Sequence, residues 1–208
     1  MTARPEDILP TYDRVGRAFA EERVKDLFEK PALDRFRAAL PGPRVLDVGC
    51  GSGDPIALYL ARNGCAVTGL DGARTMVELF RETLPAAQCY HADMRTFDLG
   101  EKFDGVLAFN SLFHLTVEDQ RAALARMAAH AGPDAALMFT SGPDAGEAFG
   151  HVDGVAVYHA SLAPADYCAL LLEHGFQTLS FRPNDPECRE HTLWLAKRIG
   201  DGAAGAPG

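Results

Sequence analysis

The stretch VLDVGCGSGDP, Val45 to Pro55, decides the fold. It places an apolar run with one acid, Asp47, directly before three glycines, Gly49, Gly51 and Gly53. Apolar runs of this kind are typical of strands buried in a parallel sheet, and glycines let a backbone turn tightly and approach a ligand without a Cβ in the way. The stretch therefore predicts a strand followed by a loop that makes room for a small molecule.

Strand-like and helix-like segments alternate on the C-terminal side of this stretch. The sequence predicts strands at 44–48, 65–71, 88–91, 103–110 and 135–141, and helices at about 55–63, 74–83, 118–130 and 164–174. This alternation is typical of a parallel sheet that is covered by helices on both faces. Two further strand-like runs, 176–181 and 191–198, are separated by only nine residues, too few for a crossover, so they predict an antiparallel hairpin.

Two segments stand apart from the alternation. Apolar residues at helical spacing over about 12–40 predict one or two amphipathic helices, broken near Pro31, in front of the sheet. The segment 142–163 is rich in Gly, Pro, Asp and His, and we expect an irregular loop with a functional role there.

The bulk properties of the chain restrict its class. With 208 residues and a net charge of −9, the protein has no basic excess for nucleic acid or an anionic membrane. No apolar run approaches the ~20 residues of a membrane span, and the N-terminus lacks the features of a signal peptide. We therefore expect a cytoplasmic single domain over 1–199, with reduced cysteines and a flexible tail at 200–208.

Three nucleotide-binding patterns compete for the glycine loop. A P-loop requires Lys followed by Ser or Thr after its glycines, and that pair does not occur between positions 49 and 60. A dinucleotide fold requires G-x-G-x-x-G at a helix that faces a pyrophosphate, whereas here position 54 is Asp and the third glycine is Gly53. Because this aspartate repels a pyrophosphate, the loop favours a ligand that carries positive charge and no phosphate.

S-adenosylmethionine has those properties, and four segments are similar to motifs of the class I S-adenosylmethionine-dependent methyltransferase family. VLDVGCGSG resembles the family motif h-h-D-h-G-x-G-x-G at every position. VTGLDGARTM (67–76) resembles the second-strand motif, HADM (91–94) the adenine-binding motif, and FDGVLAFNSLFHL (103–115) the fourth-strand motif. The four segments occur in order, at the family's spacing, over roughly residues 44–115.

The resemblance implies a fold and a set of cofactor-binding residues. The fold is an α/β three-layer sandwich with a Rossmann-like, mostly parallel seven-stranded sheet, an antiparallel last strand and an N-terminal helical lid at about 12–40. Asp71 would bind the ribose hydroxyls, Asp93 the adenine amine, and Met94 the face of the adenine ring. The complete set is Asp47, Gly49, Cys50, Gly51, Gly53, Asp71, Gly72, Met76, Asp93, Met94 and Asn110.

Candidate catalytic and substrate residues come from less specific signals. His114 follows the fourth strand, where it can act as a base or pack on a helix start. His159 is a second candidate base, and Tyr12, Tyr158 and His159 are candidate substrate-binding residues, each with an ordinary structural role as the alternative. Cys188 and His191 have a spacing open to metal ligands, but without a second pair we expect no metal site.

These observations predict an enzyme that transfers a methyl group from S-adenosylmethionine to a small molecule by in-line displacement, leaving S-adenosylhomocysteine. We expect no nucleic acid or membrane partner, and a monomer or homodimer. Two alternatives remain open: a protein that binds S-adenosylmethionine without catalysis, and an NAD(P)-dependent oxidoreductase. The C-terminal runs DPEC (185–188) and HTLWLAKR (191–198) also resemble a small bacterial methyltransferase subgroup.

Overall fold

A computed structural model describes residues 3–199 of the protein, and the predicted flexible tail at 200–208 lies outside the described residues. The helices are α1 (Ile8–Glu22), α2 (Lys30–Ala39), α3 (Ile56–Arg62), α4 (Arg74–Thr83), α5 (Val117–His130) and α6 (Pro164–Glu173). The strands are β1 (Arg44–Val48), β2 (Ala66–Asp71), β3 (Gln88–His91), β4 (Phe103–Ala108), β5 (Ala131–Ser141), β6 (Gly146–Val152), β7 (Val155–Ser161), β8 (Phe176–Asp185) and β9 (His191–Arg198). Within residues 3–199, no helix combines the length and apolarity that crossing a membrane requires.

Seven strands form one sheet in the order β3-β2-β1-β4-β5-β9-β8. The first five pair in parallel, and β9 runs antiparallel to both β5 and β8. The predicted mostly parallel sheet with a reversed last strand is therefore confirmed. Because β2 and β4 lie on opposite sides of β1, the strand order reverses there, and open α/β sheets bind ligands at the carboxyl edge beside such a reversal.

Two apolar clusters fill the two faces of the sheet. On one face α5 and α6 contribute Leu124 and Tyr167, while α2, α3 and α4 cover the other face with residues such as Phe36, Leu60 and Phe80. Helices on both faces of a central sheet make the predicted three-layer arrangement.

The N-terminal helices divide at a different place from the predicted one. The chain leaves helical structure between α1 and α2, at residues 23–29, whereas Pro31 lies in the first turn of α2. A proline is tolerated there because the first N–H groups of a helix have no partner within the helix. Only α1 lies over the carboxyl edge, between α4 and the segment β6–β7, whereas α2 packs on a face of the sheet.

The prediction of an irregular loop at 142–163 is wrong, because most of this segment is a β-hairpin. Strands β6 and β7 pair in full antiparallel register, from Gly146 opposite Ser161 to Val152 opposite Val155. The turn is Asp153–Gly154, and both residues have positive φ, 47° and 70°, as a type I′ hairpin turn requires. The hairpin buries Val157 and its neighbours against α1, which places it over the same sheet edge as that helix.

Candidate active site

A cavity of about 860 Å³ opens at the carboxyl ends of β1, β2 and β4, beneath α1 and the β6–β7 hairpin. Nearly all the predicted site residues line it: Tyr12, Asp47, Gly49, Cys50, Gly51, Gly53, Asp71, Gly72, Met76, Asp93, Met94, Asn110, His114 and His159. The side chain of Tyr158 does not, because it packs in the cluster between the hairpin and α1, where its hydroxyl donates to Glu147 Oε1 at 2.7 Å. The side chain of Tyr158 therefore lies outside the cavity in which we predicted that it would contact a substrate.

The glycine loop after β1 is held against β2. The backbone N–H groups of Gly49 and Cys50 both donate to the carbonyl oxygen of Leu70, at 2.7 and 3.1 Å. Gly49 has a φ of 72°, and a Cβ there would lie 2.3 Å from the Cβ of Ser111, so only glycine fits. Gly51 differs, because its φ is 55° but a Cβ would meet no heavy atom within 4 Å. This part of the loop therefore faces open space, where a ligand can approach the backbone.

Asp71, at the carboxyl end of β2, ties this loop to the start of α4. Its Oδ2 accepts from the Gly51 N–H at 2.9 Å, and its Oδ1 accepts from the Ala73 N–H at 2.8 Å. Burial raises the pKa of this carboxyl, and the two backbone N–H groups act in the opposite direction. Each carboxylate oxygen retains a free lone pair, so Asp71 can accept two further hydrogen bonds from a ligand.

Asp47, near the end of β1, is a second buried acid in the cavity wall. Its residue is 2% exposed, and no donor of residues 3–199 forms a hydrogen bond with its carboxyl. Burial, followed by the charge of Asp71, raises the pKa of Asp47 to about 7, whereas Arg23 lowers it. A cationic ligand would stabilise the ionised form of this carboxyl.

Asp93 does not stand free in the cavity wall, because Arg95 binds it. The Arg95 guanidinium donates to both Asp93 oxygens, at 2.6 Å from its Nη2 and 2.9 Å from its Nε, and lowers the pKa of the carboxyl. Arg95 also reaches Asp119 at the start of α5. An adenine amine would therefore share Asp93 with this arginine.

Asn110, after β4, is joined to the C-terminal strand pair. Its φ is 53°, and its side-chain amide donates to His191 Nε2 at 3.1 Å. Since the Cys188 carbonyl oxygen accepts from His191 Nδ1 at 2.8 Å, this nitrogen carries the ring proton. The His191 ring also lies beside Phe28 and Phe109, with centroids 5.2 and 5.9 Å apart.

His114 has both ring nitrogens occupied. Nδ1 donates to the Tyr158 carbonyl oxygen at 3.1 Å, so Nε2 accepts from the Tyr12 hydroxyl at 3.0 Å. Burial lowers the pKa of His114 to about 4, and burial also raises the pKa of Tyr12. His114 is therefore a neutral histidine that connects α1, the end of β4 and β7.

His159, on β7, is the candidate base whose ring nitrogens are available. It is half-buried, and neither ring nitrogen has a hydrogen-bond partner among residues 3–199. Its ring packs against Phe113 at 4.6 Å and His114 at 4.9 Å between centroids. Burial lowers the pKa of His159, so the neutral ring, which can accept a proton, persists below the ordinary range.

Several cavity residues were missed in the sequence. Arg23 and Phe28 come from the connection between α1 and α2, where no motif marks a role, and Arg189 and His191 come from the start of β9. The unpaired Cys–His spacing drew attention to His191 as a metal ligand only. Among residues 3–199, no group of three or more His, Cys, Asp or Glu side chains is arranged to hold a metal ion.

Comparisons with known proteins show which proteins have a similar sequence and fold. The model of the family described as "Methyltransferase domain" matches residues 45–134. The S-adenosylmethionine-bound structure of CalS10, an amino pentose methyltransferase from Micromonospora echinaspora, has a TM-score of 0.69 and 25% identity, covering 91% of this chain and 97% of that one. The chain is therefore similar to class I S-adenosylmethionine-dependent methyltransferases, by the family model over residues 45–134 and by fold over nearly its whole described length.

Two curated relatives of this chain are bacterial methyltransferases named for dTDP-linked amino sugars. A dTDP-3-amino-3,6-dideoxy-alpha-D-glucopyranose N,N-dimethyltransferase of Streptomyces fradiae is 34% identical over 134 residues, 64% of this chain and 52% of the relative. A dTDP-4-amino-2,3,4,6-tetradeoxy-D-glucose N,N-dimethyltransferase of Saccharopolyspora spinosa is 33% identical over 125 residues, 59% of this chain and 49% of the relative. The chain thus spans about half the length of the curated relatives it matches.

Proposed function

We propose that this chain transfers a methyl group from S-adenosylmethionine to a small-molecule acceptor. The observation that carries the proposal is the glycine loop beside two buried acids, Asp47 and Asp71, at the wall of a cavity of about 860 Å³. Ligand pockets for small molecules are typically about 300–1,000 Å³, so the cavity lies at the upper end of that range. The names of the relatives, which act on amino sugars, and the cofactor in the CalS10 structure support the same assignment.

The residues of the cavity fit this cofactor. Gly51 leaves space at the loop, and Asp71 has lone pairs for the two ribose hydroxyls. At the amino-acid end, the free carboxyl of Asp47 suits the ammonium group. Asp93 would accept from the adenine amine while Arg95 holds the carboxylate in place, with Met94 beside the ring.

The cofactor, when bound, supplies a methyl group that is already activated on a sulfonium. The chain's own task is therefore to orient the acceptor, exclude water and take up a proton. We assign the proton to His159, because its ring nitrogens are free and its ring is neutral. The buried His114 is a positioning residue, since its hydrogen bonds join α1 to the hairpin.

The two rival functions have less support. A pyrophosphate would meet the buried acids Asp47 and Asp71 at the loop, which disfavours an NAD(P)-dependent oxidoreductase. A cofactor-binding protein without catalysis would not need a half-buried histidine with free nitrogens in the same cavity. The remaining parts of the proposal rest on composition and pattern alone: a cytoplasmic single domain over 1–199, as a monomer or homodimer, without nucleic acid as a partner.

The deciding experiment is transfer of label from methyl-labelled S-adenosylmethionine to a mixture of small amines, alcohols and carboxylates. Label in a small-molecule product, with stoichiometric S-adenosylhomocysteine, is the expected result. Cofactor binding without transfer to any compound would favour the non-catalytic protein.

A further inference from the structure

The wall of the cavity is lined by seven carboxyl groups and three guanidinium groups. Four of these carboxyl groups are in ion pairs, Glu6 with Arg4, Asp54 with Lys25, and Asp93 and Asp119 with Arg95, so that Asp47, Asp71 and Glu22 are the ones without an ion-pair partner among residues 3–199. Two of the three arginines are at the cofactor motifs, with Arg23 near Asp47 and Arg95 on Asp93. The remaining part of the wall is here named the acceptor side, and it is formed by α1, the β6–β7 hairpin, the residues at the start of β9, and the three aromatic residues Phe28, Phe109 and Phe113.

The acceptor side has one arginine, and it is already engaged. Arg189 forms an ion pair with Asp26, and its guanidinium lies 4.7 Å from the centroid of the Phe28 ring. Arg23 is likewise paired with the buried Glu29 at 2.9 Å. A phosphate or diphosphate on the acceptor would need free, forked donors, whereas Arg23, Arg95 and Arg189 are each paired with a carboxyl group.

The same side offers contacts for an apolar body and a cationic group. Phe28, Phe109 and Phe113 contribute rings to the cavity wall, and of these Phe109 and Phe113 have no guanidinium from the described part of the chain over the ring. Aromatic faces attract cations. Glu22, at the end of α1, is exposed at the cavity wall and has no ion-pair partner among residues 3–199.

We infer that the acceptor is a small amine, methylated on nitrogen, that carries no phosphate or nucleotide group. The inference rests on the proposed function and names its substrate class. It also separates this chain from relatives that are named for dTDP-linked sugars.

The charge balance of the reaction agrees with an acidic wall. The amine that binds as an ammonium first gives one N–H proton to a ring nitrogen of His159, which frees the lone pair of its nitrogen. That lone pair then forms a bond with the methyl carbon as the carbon–sulfur bond breaks, and the electron pair of the broken bond stays on sulfur as a neutral thioether. The positive charge of the sulfonium therefore passes to the methylated nitrogen. An anionic acceptor would instead be repelled by the carboxylate of Glu22 before the reaction.

The test is calorimetry on the full chain saturated with S-adenosylhomocysteine, using probes matched in shape and opposite in charge. The pairs are phenethylamine against 3-phenylpropionate and glucosamine against glucosamine 6-phosphate, with dTDP as a fifth probe. Because like charges in a desolvated cavity oppose binding strongly, we expect at least one amine to bind about tenfold or more tightly than its anionic partner, and dTDP not to bind. Mass spectrometry with S-adenosylmethionine should then find the methyl group on nitrogen.

Two variants test whether Glu22 is the source of the preference for amines. Glu22→Gln should weaken the bound amine by about threefold, a typical value for one partly exposed charge. Glu21→Gln makes the same charge change one residue earlier on α1, outside the cavity, and should leave the affinity unchanged.

Equal or tighter binding of an anionic probe or of dTDP would overturn the inference. Failure of both amines to bind a chain that binds S-adenosylhomocysteine normally would overturn it as well. Failure to bind S-adenosylhomocysteine itself would instead count against the proposed function.

Discussion

At Gly51 the backbone has a conformation that favours glycine, and the adjacent space is open to a ligand. Its φ of 55° strains any residue with a Cβ, and the space around a Cβ is empty of protein atoms. We predict that Gly51→Val abolishes measurable binding of S-adenosylhomocysteine, because valine both occupies that space and strains the loop by roughly 1–3 kcal/mol.

Gly64 provides the matched control, since its φ is 90°, a Cβ there also meets nothing within 4 Å, and it follows α3 away from the cavity. Gly64→Val should lower the melting temperature to a similar extent and leave the dissociation constant unchanged. Comparable loss of binding in both variants would show that strain alone explains the effect.

The ionisation of Asp47 affects both the stability of the folded protein and the binding of the cofactor. Its pKa of about 7 in the folded protein lies above the ~3.9 of an unfolded aspartate, so the folded state binds more protons between these values. This contribution to stability is complete at low pH and is lost as pH rises through 7. We predict that Asp47→Asn raises the melting temperature more at pH 8 than at pH 5 and weakens S-adenosylhomocysteine binding at pH 8.

The difference between wild type and variant isolates Asp47, because His114 has a lowered pKa and acts in the opposite direction. A melting-temperature difference that is the same at both pH values would contradict the assignment of a buried carboxyl that ionises near pH 7.

His159 gives a prediction about rate. Its pKa is lowered by burial, so the neutral base persists to a pH below the ordinary ~6.5, and the acid limb of kcat should lie there. His159→Gln should lower kcat, abolish that limb and leave the affinity for S-adenosylhomocysteine unchanged. His174→Gln, at the end of α6, is the control and should change none of these. An acid limb that persists in His159→Gln would assign the proton to another group.

The elements over the cavity are connected by one hydrogen-bond chain, Tyr12 to His114 to the Tyr158 carbonyl. Tyr12→Phe leaves the buried Nε2 of His114 without a donor, which costs about 1–3 kcal/mol. We predict faster hydrogen exchange in both α1 and the β6–β7 hairpin, measured by mass spectrometry, with little change in the sheet. Tyr59→Phe, which removes a hydroxyl bonded to the half-exposed Asp34, should not affect α1 or the hairpin; exchange that rises equally in both variants would refute the connection.

The elements that the sequence predicted well are those with a regular pattern of apolar residues and clear signals at their ends. A glycine follows β1, β2 ends at Asp71, and the bounds of β1, α4 and β3 agree with the predicted bounds. The hairpin was not predicted although its Asp153–Gly154 turn is a strong local signal, because the Gly, Pro, Asp and His content of the segment is also typical of an irregular loop. The break between α1 and α2 was misplaced because a proline in a first turn looks the same in sequence as one that ends a helix.

At the scale of the whole molecule, the cavity is assembled from both ends of the chain. The cofactor half could be predicted because Gly49, Asp71 and Asp93 follow consecutive strands, whose carboxyl ends meet at one edge. The acceptor side could not, because Arg23, Phe28 and His191 come from connections whose positions depend on tertiary packing.

A ligand that binds only the folded state stabilises the entire molecule. At a concentration 100 times its dissociation constant, S-adenosylhomocysteine should add about 2.7 kcal/mol to the free energy of unfolding. For a chain of this length, that corresponds to a rise in melting temperature of roughly 5–10 °C. Thermal unfolding with Gly51→Val as control checks this, and a rise of equal size in the variant would place the ligand elsewhere.

The most direct measurement for the central claim is isothermal titration calorimetry of the full chain with S-adenosylmethionine, S-adenosylhomocysteine and NAD. We predict saturable binding of the first two at one site, with dissociation constants of about 1–100 μM, and no binding of NAD. Binding of NAD, without binding of either S-adenosyl compound, would contradict the assignment of the glycine loop and the two buried acids.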